Sequence, residues 1–220
     1  KDSDYVVGLD IGTSKVVCII GRYVDQHSLE VVSMGSYPSS GLKKGVVVNI
    51  DATTDAIQKS IDQAQASFEG KIKNVYVGIA GNHIRSLNSH GIVGIKDKEV
   101  EASDIDRVIE AAQAVAIPSD QRVLHVLPQE YVIDNQDSIR EPLGMSGVRL
   151  ESHVHLVTCA NNAIQNIEKC VKRCGIGVDG FVLEQLASSY SVLSEDEKEL
   201  GVCLVDIGGG TTDIAVFNSG

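Results

Sequence analysis

The chain has 220 residues, 43% of them hydrophobic, with no Trp and 4% aromatic residues, so its core must rest on Val, Ile, Leu and Ala. That length suits roughly one or two domains. A formal net charge of −11 argues against nucleic acid and anionic lipid as main partners, because both need clusters of Lys and Arg.

The pattern opens with three strands, at 5–11, 16–23 and 29–37. A Pro/Ser/Gly turn follows at 38–41, then a short Val-Val-Val run at 46–48. Asp51 is the N-cap candidate of a helix whose apolar residues, Ala56, Ile57, Ile61 and Ala64, recur at helical spacing. Residues 73–80 return to strand. This β-β-β-α-β run indicates an α/β layer fold.

The character changes near Gly81-Asn82-His83. A strand-like stretch covers 84–95. Ser103 to Asp106 opens a helix with Ile105, Val108, Ile109, Ala112, Val115 and Ala116 facing inward, which Pro118 ends. Strands follow at 122–133 and about 148–158, with a polar turn between them. This strand–helix–strand–strand block is the size of a small separate domain. Residues 161–174 are again helical, and Gly175 breaks the helix as a C-terminal glycine does. Strand 178–183 and helix 186–193 follow, and 195–199 reads as a charged, solvated connection. The first layer is therefore split by the block. After the last strand, Asn218-Ser219-Gly220 is a turn signal, and a further strand is expected beyond it, as in part of a larger protein.

Two distant stretches read almost alike. Asp10-Ile11-Gly12-Thr13-Ser14-Lys15 and Asp206-Ile207-Gly208-Gly209-Gly210-Thr211-Thr212-Asp213 each join two apolar strands. Tight Gly turns let backbone N–H groups approach phosphate oxygens, which suits Gly12, Gly208, Gly209 and Gly210. Thr13, Ser14, Thr211 and Thr212 add hydroxyl donors, and Lys15 offers a point charge. A carboxylate repels phosphate, so Asp10 and Asp206 suit Mg²⁺ held through its water shell, and either can orient an attacking water. The alternative is plain turn chemistry, since Asp, Gly, Thr and Ser are common turn residues. Neither hairpin is a Walker A loop or a dinucleotide turn.

No stretch approaches ~18 apolar residues, so nothing reads as a membrane span, and residues 1–4 are too polar for a signal peptide. The five cysteines lack framework spacing and read as ordinary thiols, Cys18 and Cys203 as small core residues of strands. Cys170 and Cys174 are four apart on a helix without a matching ligand pair. His153 and His155 share a strand face, and the sequence offers no third metal ligand beside them. Arg85, Arg107, Arg122 and Arg149 suit either a docking surface or a solvated face.

The two hairpins resemble the phosphate motifs of the actin/Hsp70/sugar-kinase superfamily. Glu184-Gln185-Leu186-Ala187-Ser188-Ser189-Tyr190 is similar to its connecting helix, which implies a water-orienting role for Glu184 or Gln185. Ser40 to Val47, Leu124 to Asp134 and Pro142 to Leu150 resemble the bacterial cell-division actin family FtsA, and the likeness runs from Tyr5 to Gly220. That resemblance implies an actin-like (ribonuclease H-like) α/β lobe, subdomain 1A, at 1–82 plus 158–200. It implies an inserted strand–helix–strand–strand (SHS2) subdomain, 1C, at 83–157, and the first hairpin of a second lobe at 201–220. It also implies ATP and Mg²⁺ as ligands, with Asp10 and Asp206 holding the metal through water, the residues of both turns on the nucleotide, and at most weak ATPase activity involving Asp206, Glu184 or Gln185. The implied partners are the tubulin-like FtsZ ring through the absent second half, later division proteins through the insert, further copies in filaments, and the inner membrane through an absent C-terminal helix, with no nucleic acid. The implied location is cytoplasmic, at the inner membrane of the division site. A sugar kinase, a polyphosphate phosphatase or a pilus-assembly actin homologue remain alternatives on the hairpins alone.

Overall fold

A computed structural model describes residues 5–25 and 28–220; the polar start at 1–4 lies outside them. The elements run β1 (Tyr5–Ile11), β2 (Lys15–Tyr23), β3 (Leu29–Pro38), β4 (Leu42–Lys43), β5 (Val46–Val47), α1 (Ile50–Ala66) and β6 (Asn74–Ile79). Then come β7 (Arg85–Gly94), α2 (Ala102–Gln113), β8 (Gln121–Ile133), β9 (Gln136–Ile139) and β10 (Arg149–Ala160). The chain continues through α3 (Asn161–Arg173), β11 (Gly177–Leu183), α4 (Glu184–Val192), α5 (Glu195–Leu200), β12 (Val202–Ile207) and β13 (Thr212–Phe217). Two compact units result, one of residues 1–83 with 161–220 and the other of residues 84–160.

The first unit is built on a five-stranded sheet of order β11-β6-β1-β2-β3. β1 runs antiparallel to β2 and parallel to β6, and β6 runs parallel to β11. Alternation along the strands puts Leu9, Val16, Cys18, Ile20, Val75 and Val77 on one buried face. α1 offers Ile57, Ile61 and Ala64, and α3 offers Ile164, Ile167 and Val171, all buried. Burying one such Ile or Leu side chain contributes about 1.5–3 kcal/mol. α1 lies so close to β3 that a Cβ at Gly35 would stand 2.0 Å from the Ser60 carbonyl oxygen. The Cys170 and Cys174 thiols reach the Ile50 and Thr54 carbonyls of α1, so this pair packs one helix on another.

The second unit is a four-stranded antiparallel sheet, β7-β10-β8-β9, with α2 against β7 and β10. Its core has two clusters, one of Val108 of α2 with Leu150 of β10, Ile133 and Ile139, and the other of Ala112 of α2 with Val154 and Leu156 of β10. Gly91 plays the part in β7 that Gly35 plays in β3: a Cβ there would lie 2.1 Å from the Val108 carbonyl oxygen. Asp104 is 1% exposed, yet it is ion-paired at 2.8 Å to Arg107, which also donates to the Gly94 carbonyl at 2.6 Å. Arg149 is likewise engaged, with Glu151 and the Asp134 carbonyl. Arg107 and Arg149 thus brace the unit's own turns.

Several sequence expectations need correction. Asn49, not Asp51, caps α1, accepting from the Ala52 N–H at 3.0 Å, while Asp51 pairs with Arg173. α2 stops at Gln113, well before Pro118, with Ala114 as its C-cap. The polar turn between the insert's last two long strands contains β9, so the unit has four strands. Residues 195–199 are solvated as expected, with all but Lys198 exposed, but they are helical and not a loop. They form most of α5, closed by a Ser194/Glu197 capping box, with Lys198 buried against Tyr190 and paired with Glu195. Cys203 is exposed rather than in the core, because β12 and β13 pair only with each other and leave Val205, Ile207, Ile214 and Val216 open on the same face.

Candidate functional site

The two Asp-Ile-Gly hairpins close their turns in the same way. Gly12 donates its N–H to the Lys15 carbonyl at 2.9 Å, and Gly208 donates to the Thr211 carbonyl at 2.9 Å. These two amides therefore shape the turns instead of facing a ligand. Thr13, Ser14, Gly209 and Gly210 occupy the tips, and the tips meet. A Cβ at Gly209 would lie 2.9 Å from the Ser14 Cβ, and one at Gly210 would lie 2.8 Å from Thr13 Cγ2. Two segments nearly two hundred residues apart in sequence are thus brought together, with no room for larger residues.

Behind the tips lies an open cavity of about 290 Å³ whose lining includes Asp10, Gly78, Glu184, Ser188 and Asp206. A smaller space includes Gly12, Thr13, Glu184 and Thr211 in its lining. Glu184, the first residue of α4, borders both. Burial pushes its carboxyl up to about 8, and Asp10, Asp213 and Asp206 add to the rise. Asp10 is raised too, first by burial and then by Asp206, with the Lys15 ammonium opposing. Its carboxyl is open to water on one side, but the surrounding protein still strips part of its solvation. Like charges at short range are the second cause in both groups.

Lys15 thus lies near Asp10, and Thr212 is exposed at the start of β13. Gln185 is buried, and its Oε1 has no hydrogen-bond partner among the described residues. It lines neither space, so of the two residues proposed to orient water, Glu184 is the one on the cavity. The sequence reading assigned no role to Asp213. The hairpin register places it directly opposite Asp206, and Thr211 Oγ1 donates to its Oδ2 at 2.9 Å. Counting alternation outward from the four-residue turn would have found it. Among the described residues no three His, Cys, Asp or Glu side chains are grouped to hold a metal ion.

A five-stranded mixed sheet with paired Asp-Ile-Gly hairpins and an inserted second unit defines an actin-like chain. Solved structures agree on that fold. One chain of the PilM-PilN type IV pilus biogenesis complex matches with a TM-score of 0.59 at 14% identity, covering 96% of this chain and 61% of that one. The ethanolamine utilization protein EutJ from Carboxydothermus hydrogenoformans matches with a TM-score of 0.51 at 15% identity, over 98% of this chain and 48% of its own. The family model described as the SHS2 domain inserted in FtsA matches residues 81–158. The chain is 69% identical over 215 residues to the cell division protein FtsA of Pseudomonas aeruginosa, covering 98% of this chain and 52% of that protein. It is 47% identical over 219 residues to the FtsA of Escherichia coli K12, covering 100% and 52%. The chain belongs to the FtsA family and spans about half the length of the curated relatives it matches.

Proposed function

We propose that this chain is the N-terminal half of an actin-like scaffold of bacterial cell division, and that its hairpins take the phosphates of Mg²⁺-ATP. The meeting of the two hairpin tips carries the reading. The donor set fits a polyphosphate: backbone and hydroxyl groups at Thr13, Ser14, Gly209, Gly210, Thr211 and Thr212, with Lys15 nearby. Asp10 and Asp206 would hold the metal through water. When bound, the nucleotide supplies the charge that neutralises these donors and the metal offsets its repulsion from the carboxylates. With its carboxyl raised to about 8, Glu184 is mostly protonated near neutral pH, so little of it is available there to take a proton. That favours slow ATP turnover and a switching role over the sugar-kinase or phosphatase alternative.

In this reading residues 1–82 with 158–200 form subdomain 1A, 83–157 form subdomain 1C, and 201–220 begin a second lobe. The insert docks later division proteins. FtsZ tethering, attachment to the cytoplasmic face of the inner membrane and filament formation need the other half of the protein. Among the described residues no helix is long and apolar enough to cross a membrane.

The test is thermal melting of the full-length protein, wild type and Gly210→Val, with and without Mg²⁺-ATP. The wild type gains stability as ligand saturates it, by about 2.7 kcal/mol at a hundred times Kd. The variant, whose added side chain drives the tips apart, loses most of that gain. Equal gains in both proteins, or none in the wild type, would sink the reading.

A further inference from the structure

Three of the six histidines stand together on one face of the four-stranded sheet in the second unit. His153 and His155 are two residues apart on β10 and so project from the same face. His90 on β7 is the direct register partner of His153, and their ring centroids lie 6.5 Å apart, edge to face. The sequence alone offers His153 and His155 without a third ligand; the strand register brings His90 beside them.

The flanking strands also settle which nitrogen of each ring is open. Glu130 on β8 is the other register partner of His153, and its Oε1 accepts the His153 Nδ1–H at 2.9 Å. Asn88 on β7 lies opposite His155, and its Oδ1 accepts the His155 Nδ1–H at 2.6 Å. Neither oxygen can donate, so both Nδ1 atoms carry the proton. Each neutral ring then keeps its lone pair on Nε2. A metal-bound histidine shows the same pattern, with its far nitrogen held by a carboxylate or another oxygen acceptor.

We propose that His90, His153 and His155 bind a divalent transition ion of the zinc class, oriented by Glu130 and Asn88. Among the described residues no three donors already converge on a point. His90 and His153 are exposed; the His90 ring turns toward the ion while His153 and His155 pivot on their Nδ1 bonds to Glu130 and Asn88, and the ion itself draws the three Nε2 atoms together. Three neutral imidazoles suit Zn²⁺, Cu²⁺ or Ni²⁺ and not Mg²⁺ or Ca²⁺. Three protein ligands leave a fourth position for water or for a donor from a docked partner. The site is independent of the phosphate hairpins.

The experiment uses the full chain, made without a histidine tag, stripped of metal and titrated with Zn²⁺ and with Co²⁺. The expected result is one ion per chain and the visible Co²⁺ bands of a four-coordinate nitrogen-rich site, without a thiolate charge-transfer band. His90→Ala and His153→Ala each lower affinity at least about tenfold. Asn88→Leu, which removes an orienting acceptor and no ligand, weakens binding by about 10–100-fold. Cys203→Ser leaves it unchanged, and circular-dichroism melts check that every variant folds. Absence of a stoichiometric ion, binding that survives His90→Ala and His153→Ala together, or binding that follows Cys203 overturns the proposal.

Discussion

Glu184 is the residue at which burial and charge conflict most. Its carboxyl is raised from 4.5 to about 8 by desolvation and by three neighbouring aspartates. The unfolded chain releases this proton near 4.5, whereas the folded chain holds it to about 8. The folded state therefore binds the extra proton across that window, and stability from this group is full below about 4.5 and lost as pH rises through 8. Glu184→Gln removes the titration. We expect the variant to melt about 2–4 °C above wild type at pH 8.5, the shift for about 1 kcal/mol at this size, with little difference at pH 4.5. A gap that is constant across pH in scanning calorimetry would refute the assignment. At this scale the sequence placed the Asp, Gly, Thr and Ser residues of both turns. It could not separate Glu184 from Gln185, because adjacent residues at a helix start diverge only once the helix phase is known.

Gly35 and Gly91 do for two strands what no side chain could: each lets a helix backbone rest on the sheet. Gly35→Ala would set a methyl group 2.0 Å from the Ser60 carbonyl oxygen and 2.6 Å from the Ala64 nitrogen. Neither atom belongs to a flexible side chain, so α1 must lift. A loss of about 1–3 kcal/mol is expected, read as a lower urea midpoint, and an unchanged midpoint would show that the helix moves freely. Element identity was legible where apolar spacing was regular, as in α1 and α3. Ends were less so. Asp51 is a good cap by type, but Asn49 holds the Ala52 N–H. α5 is six residues long, too short for periodicity, and only its Ser194-x-x-Glu197 box announced it. Exposure of Cys203 was invisible for a different reason: an apolar strand looks alike whether a partner covers it or not.

Across the whole molecule, the split of one unit around another followed from the change of pattern near residue 83 and the return of helix at 161. Chain order sufficed there, because the same layer resumed after a block with its own strand–helix pattern. The pairing of β11 with β6 was not readable, since nothing local in either strand names its neighbour. The insert has its own core, with Val108, Leu150, Val154 and Leu156 at no more than 1% exposure. Residues 84–160 expressed alone should therefore unfold in urea as one cooperative transition. A gradual, non-cooperative loss of signal would mean that the insert depends on the rest of the chain.

The same threading has a consequence for synthesis. β6 leaves the ribosome early, but its neighbour β11 and the helix α3 follow only after the entire insert has been made. The insert's strands and helix are contiguous, so it can complete itself first. Until about residue 183 emerges, β6 waits without β11 along its edge. The unit that interrupts the other in sequence is thus the first to be finished in time, and the nascent protein passes through an interval in which the insert is native while the five-stranded sheet still lacks an edge strand.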